Sequence, residues 1–195
     1  MLALYLSPGS SSMAAHIALH EIGASFESKI VSLAKKEQDS PQFRAVNPAG
    51  KVPALLIDGR VLTEVAGILF YLARRFPAAD LLPEGDVEAE AQVVSWMSFI
   101  ASTIHPANRH GLEQARPVYQ LADQRLGNRD WAVGGRYSIA DIHLFRLFWR
   151  FRNAFAPEPG AFPNVERHYE RMMARPAVKT TIDIESTIGY ELPRL

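Results

Sequence analysis

The sequence contains no cysteine. That absence removes disulfides, thiolate metal ligands, any catalytic thiol supplied by the protein, and Cys-x-x-Cys redox chemistry. An excess of charge is also missing: 21 basic residues face 21 acidic ones. Nucleic-acid and anionic-membrane partners call for a basic surplus, so neither is expected. No apolar run approaches the roughly 18 residues that a membrane-spanning helix needs. Met1 to Leu6 is only a short apolar run, with no Lys or Arg before Lys29. It does not read as a secretory signal, and the cytoplasm is the expected compartment. Internal repeats and low-complexity tracts are absent too.

What is present is an ordinary globular composition, 48% apolar and 22% charged over 195 residues. A chain of that length buries about 70% of its unfolded surface, enough for one large domain or two small ones. The patterning favours two. Leu2 to Leu6 reads as a strand broken at Pro8-Gly9, and Ser10-Ser11-Ser12 then offers cap residues for a helix that stops near Gly23. A strand over Phe26 to Val31, a short helix around Gln42 to Ala45 and a hairpin about Asp58-Gly59 follow. Val65, Ile68, Leu69, Leu72 and Phe76 recur at helical spacing with one apolar face.

After a Pro- and Gly-rich linker from Pro77 to Gly85, every period is helical: Glu88 to Ile104, Gln114 to Leu126, Ser138 to Phe151, Val165 to Ala174 and a shorter last segment. Ser138 and Asp141 have the capping-box spacing. The expected fold is therefore an α/β domain over residues 1–79, ordered βαβαββα, and an all-α helical domain over 86–195.

The stretch from Asn47 to Leu72 carries the most chemical information. Pro53 cannot donate to a ladder, so it belongs at the start of the apolar run Ala54 to Ile57. X-Pro is the one bond at which cis is cheap, and a tight turn is its usual setting. A cis Val52-Pro53 bond would turn the valine N–H and C=O out of the sheet toward an extended, peptide-like ligand. A helix starting at Thr63-Glu64 would bring unpaired N–H groups and a positive dipole end close by. A backbone anchor beside an anion site suits a small, negatively charged peptide.

These pieces, in this order, closely resemble the soluble glutathione S-transferases. The matching residues are Pro8-Gly9-Ser10-Ser11-Ser12, Asn47-Pro48-x-Gly50-x-Val52-Pro53-Ala54-Leu55, Leu62-Thr63-Glu64 and Ile68-x-x-Tyr71-Leu72. In the second half they are Trp96, Ile104-His105-Pro106 and Gly135-x-x-Ser138-Ile139-Ala140-Asp141. The resemblance covers residues 1 to about 175 and is greatest to the bacterial beta class, whose first turn reads Pro-Gly-x-Cys-Ser. It implies a thioredoxin-like N-terminal domain, a helical C-terminal domain contributing the electrophile site, a cytoplasmic homodimer, a detoxification role, and transfer of glutathione to a hydrophobic electrophile. Glutathione would be the co-substrate, with no metal.

The beta-class cysteine falls on Ser11, the working hydroxyl of serine-type classes falls nearer Ser10, and the beta-class serine falls on Ser12. One of these three would stabilise the thiolate, with Ser11 preferred and Ser10 next. By the same resemblance Val52, beside Pro53, would pair its backbone with the cysteinyl unit, and Glu64 would accept from the γ-glutamyl ammonium. Val65 occupies the position where the family often has a carboxylate-binding serine, so only its N–H remains for that task. Lys35 and Lys51 would meet the glycine carboxylate, and His105 would line the cleft.

Thr103 and Pro106 replace polar residues that the family uses nearby. Thr103 together with Val65 supports the alternative of a non-catalytic or weakly active ligandin on the same scaffold. His16 and His20, at i, i+4, lack a third placed metal ligand. The aromatic run from Phe145 to Phe155 reads as core.

Overall fold

The computed structural model describes residues 1–191. Its sheet is built around β1 (Leu2–Leu6), where Ala3, Leu4 and Leu6 are buried. Strand β2 (Phe26–Ile30) runs parallel to β1, with Leu6 opposite Ile30. Strand β3 (Ala54–Ile57) runs antiparallel to β1 on its other side, with Tyr5 opposite Ala54. Strand β4 (Arg60–Thr63) pairs antiparallel with β3, giving the order β2-β1-β3-β4. Asp58 and Gly59 both have positive φ, 47° and 85°, as the two-residue turn between twisted strands requires.

A parallel pair needs a crossover, and helix α1 (Ser12–Glu21) supplies it between β1 and β2. Met13, Ala14, Ile17, Ala18 and Leu19 are all fully buried on it, so α1 is apolar nearly all round. Its neighbours explain this. It packs against β1, against α3 (Val65–Arg75) and against α9 (Pro176–Ile188). The short helix α2 (Pro41–Val46) follows β2, capped by the Ser40 hydroxyl, which accepts from the Phe43 amide at 3.2 Å. Pro41 at the first position loses no bond there.

The second unit is helical: α4 (Val87–Phe99), α5 (His105–Arg109), α6 (Leu112–Leu126), α7 (Ile139–Phe155) and α8 (Pro163–Met173). Phe145, Phe148 and Phe151 on α7 are fully buried; Phe148 and Phe151 meet Tyr119 of α6 and Phe162 in edge and tilted ring contacts, and Phe145 stacks on Tyr169 of α8. The expected capping box is formed. Asp141 Oδ2 accepts from the Ser138 amide at 2.8 Å and Oδ1 accepts from the Ala132 amide at 2.7 Å.

Two features differ from the sequence expectations. The helix expected over Glu88 to Ile104 is α-helical only to Phe99, and Ile100–Ile104 forms a π turn in which the His105 amide bonds to the Ile100 carbonyl. Pro106 is the physical reason: it has no N–H to offer and its ring crowds the carbonyl four residues back, which a wider turn relieves. The last helix, expected within the helical domain 86–195, instead groups with the sheet. The first unit comprises Met1–Ala79 together with α9.

Candidate functional site

The four loops that carry the predicted site leave the sheet at one end. That end holds the C-termini of β1, β2 and β4 and the N-terminus of β3, by the pairings Leu6 with Ile30, Tyr5 with Ala54 and Ala54 with Thr63. Across the sheet the order is therefore the Lys35 loop, the Ser10-Ser11 loop, Val52-Pro53 and Glu64-Val65. Neighbouring strands lie about 4.8 Å apart, so the row spans about 14 Å.

The serines are not equivalent. Ser12 is fully buried; its hydroxyl accepts from the Ser7 amide and donates to the Ser7 carbonyl, each at 3.0 Å. Ser10 is also buried, with its hydroxyl 2.8 Å from that of Ser12 and accepting from the Ser12 amide at 3.2 Å. Since the Ser12 proton goes to Ser7, the Ser10 proton goes to Ser12. Ser11 is half-exposed at the head of α1, and its hydroxyl caps nothing.

The Val52-Pro53 bond is cis, as the sequence predicts. The ladder begins at Ala54, and among the described residues no backbone hydrogen bond takes up the Val52 amide or carbonyl. The approach to Val52 is fixed by buried Asn47. Its side chain donates to the Lys51 carbonyl at 2.7 Å and accepts from the Ala49 amide at 3.1 Å. Gly50 has φ +61°, and a Cβ there would meet the Gln38 carbonyl at 3.0 Å, so only glycine closes this loop.

Glu64 stands at the head of α3 with φ 66° and ψ 127°, a conformation that L residues rarely adopt. Such strain collects at functional positions. Its exposed carboxylate has no hydrogen-bond or ion-pair partner among the described residues. The first helical amides, beginning with Val65, have no acceptor within the helix. The Lys35 and Lys51 side chains are exposed and form no ion pair among the described residues.

His105 belongs to the second unit, half-buried at the first position of α5. Nearby His143 is buried, and desolvation, then Arg146 and His105, pushes its imidazole down to about 3. His16 and His20 lie with tilted rings, centroids 4.9 Å apart, but His16 Nδ1 is bonded to Glu185 of α9 at 2.9 Å. Among the described residues no cluster of three or more His, Asp or Glu suits a metal ion.

The arrangement offers, in one row, a hydroxyl donor, an open backbone pair, a carboxylate beside helix amides, and two ammonium groups. Two family models match the chain: the glutathione S-transferase N-terminal domain over residues 1–74 and its C-terminal domain over residues 96–176. The glutathione S-transferase GstA of Escherichia coli O157:H7 is 32% identical, covering 93% of this chain and 98% of its own. The chain belongs to the glutathione S-transferase family. As a member it is an enzyme of the transferase class.

Solved structures agree. The sphingomonad glutathione S-transferase complexed with glutathione superimposes with a TM-score of 0.85 at 34% identity, covering 94% of this chain and 98% of that one. The bacterial beta class glutathione S-transferase of Sphingomonas chungbukensis gives 0.82 at 33%, over the same shares. The thioredoxin-like and all-helical glutathione S-transferase fold expected from the sequence is the fold observed.

Of the predicted site residues, the structure gathers Ser10, Ser11, Lys35, Lys51, Val52, Pro53, Glu64 and Val65 at the one sheet end. His105 lies in the other unit. Sequence reasoning assigned no part to Asn47 or to Glu185. Asn47 had a signal, standing at the start of a Pro- and Gly-containing turn where asparagine bonds its own backbone. Glu185 had none.

Proposed function

We propose that this transferase binds glutathione along the sheet end, ionises its thiol with the Ser11 hydroxyl and adds the sulfur to a hydrophobic electrophile. The order of the four loops carries this reading. An extended tripeptide spans about 10 Å, matching a row of about 14 Å with side chains reaching in from both ends. The γ-glutamyl ammonium would lie at the Glu64 carboxylate, and its carboxylate at the Val65 amide, where the helix dipole favours an anion. The cysteinyl backbone would pair with Val52, leaving the sulfur over the head of α1 beside Ser11. The glycine carboxylate would then point toward Lys35 and Lys51. A relative complexed with glutathione supports the choice of peptide.

The chemistry needed is modest. A free thiol titrates near 8.5, so lowering it by about two units takes about 2.7 kcal/mol. A hydrogen bond to a charged acceptor contributes about 1.5–3 kcal/mol. A helix N-terminus adds about 0.3–1 kcal/mol. One uncommitted hydroxyl at the head of α1 is sufficient. Beyond ionisation the enzyme supplies proximity and orientation, with no covalent intermediate. His105 is assigned to the electrophile side of the reaction. The working form is proposed to be a cytoplasmic homodimer, for which exposed Phe70 and Val61 offer apolar surface; sedimentation velocity reads the state directly.

The test is calorimetric titration with glutathione, followed by conjugation to a chlorodinitroaryl acceptor. Binding at millimolar glutathione with a rate above that of free glutathione supports the transferase. Absence of binding sinks the reading. Binding without acceleration identifies a ligandin, the reading that Val65 favours because it removes a carboxylate-binding hydroxyl.

A further inference from the structure

The loop that presents Lys35 follows β2 and turns on Ser32, a buried residue. The Ser32 amide donates to Glu37 Oε2 at 2.8 Å, and its carbonyl accepts from the Glu37 amide at 3.0 Å, which closes the base of the loop. The Ser32 hydroxyl has a separate task. It accepts from the Lys35 amide at 3.1 Å and donates to Glu191 Oε2 at 2.6 Å. Glu191 lies beyond the end of α9 at Ile188, 159 positions from Ser32 in the chain. The same carboxylate oxygen accepts from the Ala34 amide, more loosely, at 3.4 Å.

An O–H donor to a carboxylate makes a short, charge-assisted bond, and 2.6 Å is in its range. A hydroxyl whose proton is drawn toward a carboxylate is in turn a better acceptor, so Glu191 strengthens the bond from the Lys35 amide. The loop needs such a hold. Lys36 has φ +56°, a left-handed conformation that a lysine keeps only where its surroundings over-determine it. The acid also spares the cation it stands near: the Lys35 side chain is exposed and forms no ion pair among the described residues. A carboxylate placed to neutralise this loop would pair with that ammonium. Glu191 instead grips the backbone and leaves the ammonium open to a ligand.

We propose that Glu191 is a positioning residue for the glycine end of glutathione, holding the Lys35 backbone through the Ser32 hydroxyl so that the ammonium is preset for the glycine carboxylate. The inference rests on the assignment of Lys35 to that carboxylate. A flexible side chain loses less freedom on binding when the backbone that carries it is already fixed. The thiol and the rest of the peptide are assigned to Ser11, Val52, Glu64 and Val65, on other loops. Loosening Glu191 therefore weakens selection for the glycine carboxylate and leaves ionisation of the thiol unchanged.

The experiment uses the full chain with Glu191→Gln and Glu191→Ala; the residue is exposed, so both variants fold. Amide hydrogen exchange at Lys35, read by NMR without ligand, tests the hold itself. Exchange accelerates about three- to tenfold in the alanine variant and less in the glutamine variant, which keeps a neutral acceptor. Calorimetry with S-methylglutathione and with its glycine amide tests the consequence, since neither has a thiol to ionise. An exposed ammonium–carboxylate pair supports a preference of about fivefold for the carboxylate form in the wild type. In Glu191→Ala that preference falls to about twofold or less, with Glu191→Gln between. Thiolate absorbance of bound glutathione against pH keeps its wild-type midpoint in both variants.

Lys35 exchange at the wild-type rate in Glu191→Ala overturns the proposal. So does an unaltered preference for the carboxylate despite faster exchange. A shifted thiolate midpoint overturns it as well, because it shows a general loosening of the domain. Failure of the wild type to bind glutathione overturns the functional reading instead, and the ligand-free exchange distinguishes the two.

Discussion

The Ser10 and Ser12 hydroxyls lie 2.8 Å apart and share a bond that commits the Ser10 proton, leaving Ser11 between them with the hydroxyl that caps nothing. The proposed division of labour is thus structural at 10 and 12 and chemical at 11. Ser11→Ala is expected to raise the pKa of bound glutathione by about one to two units, the worth of one hydrogen bond to a charged acceptor. Stability should change by less than about 0.5 kcal/mol, as for a substitution away from buried features. Ser10→Ala strips the Ser12 amide of its side-chain acceptor in a buried setting, and should cost about 1–3 kcal/mol of stability. Thiolate absorbance against pH and urea unfolding of the two variants read both quantities. Equal effects of the two substitutions on the thiol would contradict the division.

Glu64 is expected to trade stability for binding. Its backbone at φ 66° and ψ 127° is strained for any residue but glycine. Glu64→Gly relieves that strain, offset in part by the entropy glycine loses on folding, for a net gain of about 1 kcal/mol in urea unfolding. The same substitution removes the acceptor proposed for the γ-glutamyl ammonium, a charged bond worth about 1.5–3 kcal/mol, so glutathione affinity falls about ten- to a hundredfold by calorimetry. Glu64→Gln keeps the strain and should weaken binding without stabilising the fold.

Asp141 gathers more bonds than any cap requires. Besides Ser138 and Ala132 it meets His168 Nε2 at 3.0 Å, with both side chains buried. It therefore ties the start of α7 to the loop before it and to α8. Asp141→Ala should destabilise the protein by about 3–5 kcal/mol, the range for breaking a buried network at one partner. Thermal unfolding checks this, and a loss below about 1 kcal/mol would reduce Asp141 to a plain helix cap.

How far these features could be read from residues alone depends on how local their causes are. The β3–β4 hairpin was legible because Asp58-Gly59 is the residue pair that tolerates two positive φ values in succession. The cis bond was legible because proline at the head of an apolar strand leaves few other geometries. The row of site residues followed once the strands were ordered. The π turn over Ile100–Ile104 was not legible, since a shift from four to five residues per bond leaves the apolar period almost intact and only Pro106 hints at it. Glu185 was invisible for a different reason. On a helix that also carries exposed Lys179 and Asp183, one glutamate looks like another, and its burial is decided by α1, which lies more than a hundred and sixty positions away. The same packing moved α9 out of the helical domain, a placement that no local period encodes.

His143 should make the protein acid-sensitive. Buried on α7 and facing Arg146 and His105, it is held neutral, with its pKa pushed down from 6.5 to about 3 by desolvation first and then by Arg146 and His105. Below about pH 6.5 the unfolded chain takes up a proton that the folded chain refuses. Linkage then gives stability that is fully present above that pH and is lost as pH falls toward 3. Each pH unit within the window removes up to about 1.4 kcal/mol. His143→Leu removes this contribution, so the urea midpoint of the variant should depend less steeply on pH between 6.5 and 4 than that of the wild type, whatever its absolute stability. Parallel curves for the two proteins would show that the acid sensitivity arises elsewhere, with His20, also lowered by burial and by His16, the next group to substitute.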